Sequence, residues 1–434
     1  MMEKQTKIGT VCSDFDTFQL KSMLVKNDAG DWGSEPDKDA IGVIRSTNFN
    51  NDGKLDLSDI AYRTLSKRKF EEKKLYASDI LIERSGGSET QPVGRIGYIT
   101  DEMAKTDYAF ANFIQRISLN DEVNAKFVYY CLQQMYEMGI TAGMQSQTTG
   151  IRNLDWKQYM KILLPKPTLS EQSAIAAILS KVDEAIASVQ GSISAAERLK
   201  KSLMQNLLTG RMKPDGTLRT EEEFYLDEKF GRVPKGWVVK RIDEIADFVQ
   251  YGLNQASSET GIIPMFRMNN IVNGEMQNYP LVYVNLNETA LCQYKLEKGD
   301  ILFNRTNSMD LVGKVGVFKL EGDYVFASYL IRIRVSKDNN PYFVNYALNS
   351  YPIQCSLRSK ATPAVSQANI NSKSLRVTSI LIPTEKHEQN AIVSKIDRIE
   401  LEISNKQQKI AVLERLKKSL MQNLLTGRVR VKEI

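Results

Sequence analysis

"ERLKKSLMQNLLTGR" occupies residues 197–211, and the same fifteen residues return at 414–428. Helix propensity accepts many sequences, so it does not demand this identity. The repeat reaches upstream, where Glu171-Gln172 and Glu388-Gln389 stand at the same offset. In the same register Ile175, Leu179, Val182, Ile186 and Ile193 face Ile392, Ile396, Ile399, Ile403 and Ile410. Their steps of four, three, four and seven make one helical stripe, the heptad seam of a coiled coil. Ala196 and Leu413, Leu203 and Leu420, and Leu207 and Leu424 continue it. The seam falters at Lys200 and Lys417, where the adjacent Leu199 and Leu416 predict a phase slip. Each helix is predicted to start after a proline stretch ("LLPKPTLSEQ", "ILIPTEKHEQ") and to stop at the glycine of "LLTGR". At 1.5 Å per residue, roughly 38 residues span about 57 Å. A one-sided apolar stripe needs a cover, so the two helices are predicted to pack on each other, antiparallel, with pseudo-twofold symmetry. Packing constrains only the seam. Identity at outer positions such as Lys201, Gln205 and Asn206 predicts a face that binds one partner twice, although a recent duplication gives the same signal.

The chain has 434 residues, which predicts two or more domains. Hydrophobic residues at 42% and charged residues at 25% read as soluble and globular. No 18-residue apolar run predicts a membrane span, and "MMEKQTKIGTVCSDFD" lacks the apolar core of a signal peptide. Cys12, Cys131, Cys292 and Cys355 form no CxxC pair and suit a reduced, cytoplasmic compartment. The net charge of +6 fits a polyanionic partner.

The segments before the helices repeat more weakly. "IGVIRSTNFNNDGKLDL" (41–57) resembles "IIPMFRMNNIVNGEMQN" (262–278). Each is an apolar strand, then Arg45 or Arg267, Asn48 or Asn270, and a hairpin signal at Asp52-Gly53 or Asn273-Gly274. "SDILIERSGG" (78–87) matches "GDILFNRTNS" (299–308), with Arg84 or Arg305 at the strand end. "VGRIGYI" (93–99) matches "VGKVGVF" (312–318), and "FANFIQRISL" (110–119) matches "FASYLIRIRV" (326–335). The predicted class is α+β: two mainly β domains, each followed by a long helix. Constant helices beside divergent heads suit a recognition module.

Signatures of catalysis are weak. The single histidine, His387, lies at a helix start and has no partner for a zinc site or a triad. "DNNPYF" (338–343) lacks the second proline of an amino-methyltransferase motif, and no FxGxG cofactor loop accompanies it. "KPDGTLRTEEEFYLDEK" (213–229) outlines a nuclease motif, but its Pro-Asp-Gly reads as a turn in a polar linker. No GxxxxGK[ST] loop is present. The chain is therefore expected to be a non-enzyme with no cofactor and no metal. "SKRKFEEKK" (66–74) reads as a solvated helix face.

Taken together, the "LKKSLMQNLLTGR" ends, the "RVPKGWVVKRIDEIA" opening of the second domain (232–246) and the "GDILFNR…GKVG…FAS" core resemble the specificity subunit of type I restriction-modification systems. The resemblance covers nearly the whole chain. It implies two target-recognition domains (1–168 and 232–384), spacer helices (169–211 and 385–428), a linker (212–231) and a short tail (429–434). The first domain departs from the pattern, because it lacks a counterpart of Pro234-Lys235-Gly236-Trp237. The family's role implies reading of a bipartite, asymmetric site in double-stranded DNA. It implies as partners two copies of a methyltransferase subunit, which methylates adenine, and restriction subunits in the full complex. Arginine reads guanine best, and asparagine or glutamine reads adenine. The candidate DNA contacts are Arg45, Asn48, Arg84, Gln91, Arg95 and Arg152 in the first domain. In the second they are Arg267, Asn270, Arg305, Asn307, Lys314, Gln367 and Asn369. Leu203, Leu207, Leu208, Leu420, Leu424 and Leu425 are the candidates for partner docking. A coiled-coil scaffold with protein-binding β domains is the alternative.

Overall fold

The computed structural model describes residues 4–88, 91–148, 151–363 and 367–431. The chain forms two compact units: Met1–Gly191 with Gln408–Ile434, and Ser192–Gln407. The division falls inside both long helices, Leu169–Leu208 and Lys386–Leu424. Each unit thus combines one recognition domain, the first part of the helix that follows it, and the last part of the other helix. Among the described residues no helix is long and apolar enough to cross a membrane.

The apolar runs matched between the two halves fall in strands, and Leu24–Ala29 and Ala246–Tyr251 join them without a run that announces them. In the first unit Leu24–Ala29, Ile114–Leu119, Ile80–Glu83 and Ile96–Tyr98 form an antiparallel sheet in that order. The second unit repeats it with Ala246–Tyr251, Leu330–Val335, Ile301–Asn304 and Val315–Val317, extended by the short strands Glu275–Met276 and Ile271–Val272. Every residue of Ile80–Glu83 and of Ile301–Asn304 is buried. That is why "ILIE" and "ILFN" are not alternating patterns: the strand is covered on both faces. A three-stranded sheet, Ile41–Ile44 between Tyr108–Phe110 and Ala61–Arg63, has its counterpart in Ile263–Phe266 between Val325–Phe326 and Val282–Val284.

The long helices meet antiparallel within each unit. In the first, Ile175 and Leu179 share a core with Met421, Leu424 and Leu425. In the second, Ile392 and Ile396 share one with Leu207 and Leu208. The predicted phase slip is absent, because the seam keeps its register through this turn. Lys417 is instead a buried seam residue whose ammonium meets Asp183 at 2.8 Å, and Lys200 meets Glu400 at 2.6 Å. Asp183 and Glu400 also accept hydrogen bonds from Tyr130 and Tyr346, at 2.7 and 3.0 Å. Leu199 and Leu416 point outward instead of shifting the seam. An inward charge in an apolar seam specifies register, because a slipped pairing leaves it uncompensated. Lys417→Met is expected to destabilise the first unit by about 2 kcal/mol, less than a fully buried pair because the ions keep some solvent contact. Lys417→Met with Asp183→Leu should recover most of it in thermal melts, and no recovery would place the effect outside the pair.

The repeated Gln residues tie the start of each helix to the recognition domain before it, and the Leu-Thr-Gly residues seat its end against the other recognition domain. Gln172 Oε1 accepts from the Asn124 amide at 2.8 Å, and its Nε2 donates to Pro167 O at 2.8 Å. Gln389 does the same with Asn340 and Pro383, at 2.7 and 2.9 Å. Glu171 takes both carboxylate oxygens to Arg430, at 2.8 and 2.9 Å, and Arg430 lies over the Phe15 ring. Glu388 takes Arg219 at 2.5 Å and Trp237 Nε1 at 3.1 Å, with Arg219 over the Trp237 ring. Gly210 and Gly427 end the helices with φ of +67° and +71°. A Cβ there would lie 2.2 Å from Pro234 and 2.5 Å from Cys12, so the glycine that stops each helix also admits its neighbour.

These contacts supply the missing opening of the first domain. Cys12 and Phe15 stand where Pro234 and Trp237 stand, and Asp16–Gln19 pairs with Leu163–Lys166 as Trp237–Arg241 pairs with Ser379–Pro383. The motif is absent as letters and present as packing. The hairpin Lys4–Thr6 and Gly9–Val11 precedes it, as Phe224–Asp227 and Gly231–Pro234 precedes Trp237.

Candidate nucleic-acid interface

Three candidate contacts are scaffolding. Asn48 and Asn270 are 2% and 0% exposed. Asn48 Oδ1 accepts from the Arg45 amide at 2.9 Å, and its Nδ2 donates to Asp56 O and Asp59 O at 2.8 and 3.1 Å. Asn270 repeats this with Arg267, Gln277 O and Pro280 O, at 2.8, 3.1 and 2.8 Å. An amide with both N–H groups and its oxygen committed inside the protein has nothing left for adenine. Arg95 is buried too. It forms a two-bond ion pair with Glu83 at 2.7 and 2.8 Å and donates to Phe49 O and Ser46 O. All three are corrected from DNA contacts to structural residues. Lys314, at the position of Arg95, is exposed because its neighbour is the neutral Asn304 instead of a buried carboxylate.

Arg84 and Arg305 stand differently. Each ends the central strand and is held through its backbone: Arg84 N donates to Phe113 O and Arg84 O accepts from Leu154, at 2.8 and 2.9 Å. Arg305 does the same with Tyr329 and Ile370, at 3.0 and 2.9 Å. The next residues open a small three-stranded ribbon. In the first unit it is Ile151–Leu154 between Gln145–Thr148 and Ser85–Gly86. In the second it is Ala368–Asn369 between Thr306–Asn307 and Thr362–Pro363. A ribbon of short strands presents side chains to a groove from a fixed backbone.

The ribbons gather most of the remaining candidates. Arg152 and Asn307 lie in them, half-buried. Asn369 accepts from Arg305 at 3.4 Å and donates to Thr306 at 3.3 Å, and Gln367 is exposed beside it. Gln91 lies outside its ribbon and donates to Asn51 at 3.1 Å. Arg45 forms an ion pair with Asp59 at 2.9 Å, whereas Arg267 has no ion pair among the described residues. Two aromatic residues were not singled out from the sequence. The Arg84 guanidinium lies 6.0 Å from the Trp156 ring centre, and Arg305 lies 4.9 Å from that of Tyr251. Burial pushes the Tyr251 hydroxyl up, but the Ser372 amide it accepts from and the charges of Arg305 and Arg376 bring it below the usual tyrosine range. Only the chain's return across the sheet brings these partners together, so no local pattern signals them.

The docking leucines also change place. Leu207, Leu208, Leu424 and Leu425 are buried in their own units, and Leu203 and Leu420 pack against the same cores. They hold the helices and are not free for a partner. The outward residues of the repeat are Glu197, Arg198, Leu199, Lys201, Ser202 and Gln205, with identical exposed residues at Glu414, Arg415, Leu416, Lys418, Ser419 and Gln422. Leu199 is 53% and Leu416 45% exposed.

The suspected nuclease carboxylates are occupied in turns: Asp215 accepts from the Thr217 amide at 2.7 Å, and Asp227 from Lys229 and Phe230 at 2.9 and 2.8 Å. Among the described residues no group of His, Cys, Asp and Glu is placed to hold a metal.

Comparison with known proteins places these features in a family. The model of the type I restriction modification DNA specificity domain matches residues 3–198 and 234–415. The EcoKI specificity subunit of Escherichia coli K12 is 24% identical over 373 residues, 83% of this chain and 75% of that protein. The MjaVIII specificity subunit of Methanocaldococcus jannaschii is 26% identical over 372 residues, 82% of this chain and 80% of that one. The S subunit of a type I restriction-modification system from M. genitalium shares the fold, with a TM-score of 0.55 at 14% identity over 97% of this chain and 99% of that chain.

Proposed function

The chain belongs to the type I restriction-modification DNA specificity family, and on that premise we propose that its two units read the two halves of a bipartite, asymmetric DNA site. In this reading it directs adenine methylation by two copies of a methyltransferase subunit, and cleavage where restriction subunits join. The chain supplies recognition and the partners supply chemistry. One contrast carries the proposal. The outward face recurs residue for residue, and the helix ties and seam ion pairs recur with related residues, Glu400 for Asp183 and Arg219 for Arg430, while the ribbons at the strand ends differ. Identical exposed faces suit two copies of one partner, and dissimilar ribbons suit two dissimilar half-sites.

Selection of duplexes from a random library by the complex with its methyltransferase subunit tests this. The expected consensus is two short blocks separated by a gap of fixed length and no preference. Affinity should fall steeply with salt, as phosphate contacts demand. A single uninterrupted block, or no enrichment, would overturn the proposal.

A further inference from the structure

Each recognition domain carries an arginine laid against an aromatic ring, and the two rings come from different places in the fold. Trp156 is the first residue of the short helix Trp156–Tyr159, capped by Asp155. The corresponding helix, Ser372–Arg376, is capped by Asn371 and begins with Ser372. Tyr251 ends its strand opposite Ile331, and the residue at that place in the first unit, opposite Gln115, is Ala29. So each unit has the aromatic where the other has a small residue. Tyr251 accepts from the Ser372 amide at 2.9 Å, with its ring centre 4.9 Å from the Arg305 guanidinium. Inheritance of one residue through duplication does not produce this; the arginine was given a platform twice.

The fork of each arginine is largely uncommitted. Arg84 donates from Nη1 to Gln115 at 3.2 Å, its one side-chain hydrogen bond among the described residues. Arg305 has two long contacts, to Ser328 O at 3.5 Å and Asn369 Oδ1 at 3.4 Å, and its buried Nε has no acceptor among the described residues, which leaves the Nη groups as the donors open to a ligand. Buried structural arginines of the same sheets look otherwise: Arg116 makes four bonds of 2.7 to 3.0 Å, to Asp28 and to Lys74 O and Glu72 O. A guanidinium fixed in plane, with free donors on its edge, matches the O6 and N7 acceptors of guanine in the major groove.

We propose that Arg84 and Arg305 each read one guanine, one in each half-site, with Trp156 and Tyr251 as positioning residues that hold the fork flat. The proposal rests on the DNA-reading function above. It is tested by scanning 7-deazaguanine, which lacks the N7 acceptor, through the selected duplex bound by the whole complex. One guanine in each half-site should lose about 10- to 100-fold in affinity on this replacement. Arg84→Met should abolish the sensitivity in one half only, and Arg305→Met in the other. Tyr251→Leu should lower the preference for guanine over adenine at the Arg305 position without changing the salt slope, and Tyr251→Phe, which keeps the ring, should retain it. A selective complex with no 7-deazaguanine-sensitive position tied to these arginines overturns the clamp alone. Equal weakening on every sequence in the methionine variants also overturns it, making the arginines phosphate contacts. A wild-type complex with no sequence selectivity overturns the function proposed above and the clamp with it.

Discussion

Glu83→Ala is expected to destabilise the first unit by about 3–5 kcal/mol, the cost of leaving a buried charge without its partner. Glu83 is 0% and Arg95 7% exposed, so water does not replace the lost carboxylate. The Arg95 bonds to Phe49 O and Ser46 O would survive, but carbonyl oxygens carry no net charge. The second unit solves the same position otherwise. There Asn304 donates to Leu311 O at 3.2 Å, and Lys314 turns to solvent. Glu83→Asn combined with Arg95→Lys should therefore cost far less than Glu83→Ala, because a lysine can carry its charge out of the core. Hydrogen exchange read separately over the two units measures both variants, and the second unit should be unaffected. Unchanged protection around Ile80–Glu83 in Glu83→Ala would show that the ion pair holds nothing in place.

The second large effect concerns assembly. Leu199→Glu and Leu416→Glu should each remove one of two methyltransferase copies, and the double variant both. An exposed leucine ringed by the same charged residues in both copies has the make-up of an interface centre, where truncation costs about 2 kcal/mol or more. A carboxylate forced into such a contact adds a desolvation penalty. Both leucines are well exposed and make no core contact, so the chain itself should fold and melt as before. Mass measurement of the purified complex counts the copies directly, and methylation of a target duplex follows them. Two copies retained in the double variant would move the docking site off this face. Substituting Leu207 or Leu424 cannot make the same distinction, since either change opens a core.

The duplicated helix was legible because helix and strand are local. A period of three and four residues marks the seam, and a continuous apolar run marks the buried strand, whatever lies elsewhere in the chain. Aligning the two halves matched Asn48 with Asn270 and Arg84 with Arg305, correctly paired as positions. It could not say that the first pair closes a turn while the second keeps free donors, because that depends on what surrounds each side chain. The leucines of "LKKSLMQNLLTGR" show the same limit. The repeat marked a duplicated helix end, but burial decided which of its residues face inward.

The sequence by itself determined the two-part organisation, the helix ends, the matching strand segments of the two halves and the family. Local periodicity and identity between the halves carry all of that. Only the tertiary structure decided that Cys12 and Phe15 replace Pro234 and Trp237, that Lys200 and Lys417 meet Glu400 and Asp183, and that the rings of Trp156 and Tyr251 lie beside Arg84 and Arg305. The reason is physical. Each of these is a match of shape or charge between segments distant in the chain, so no local pattern in either half announces it.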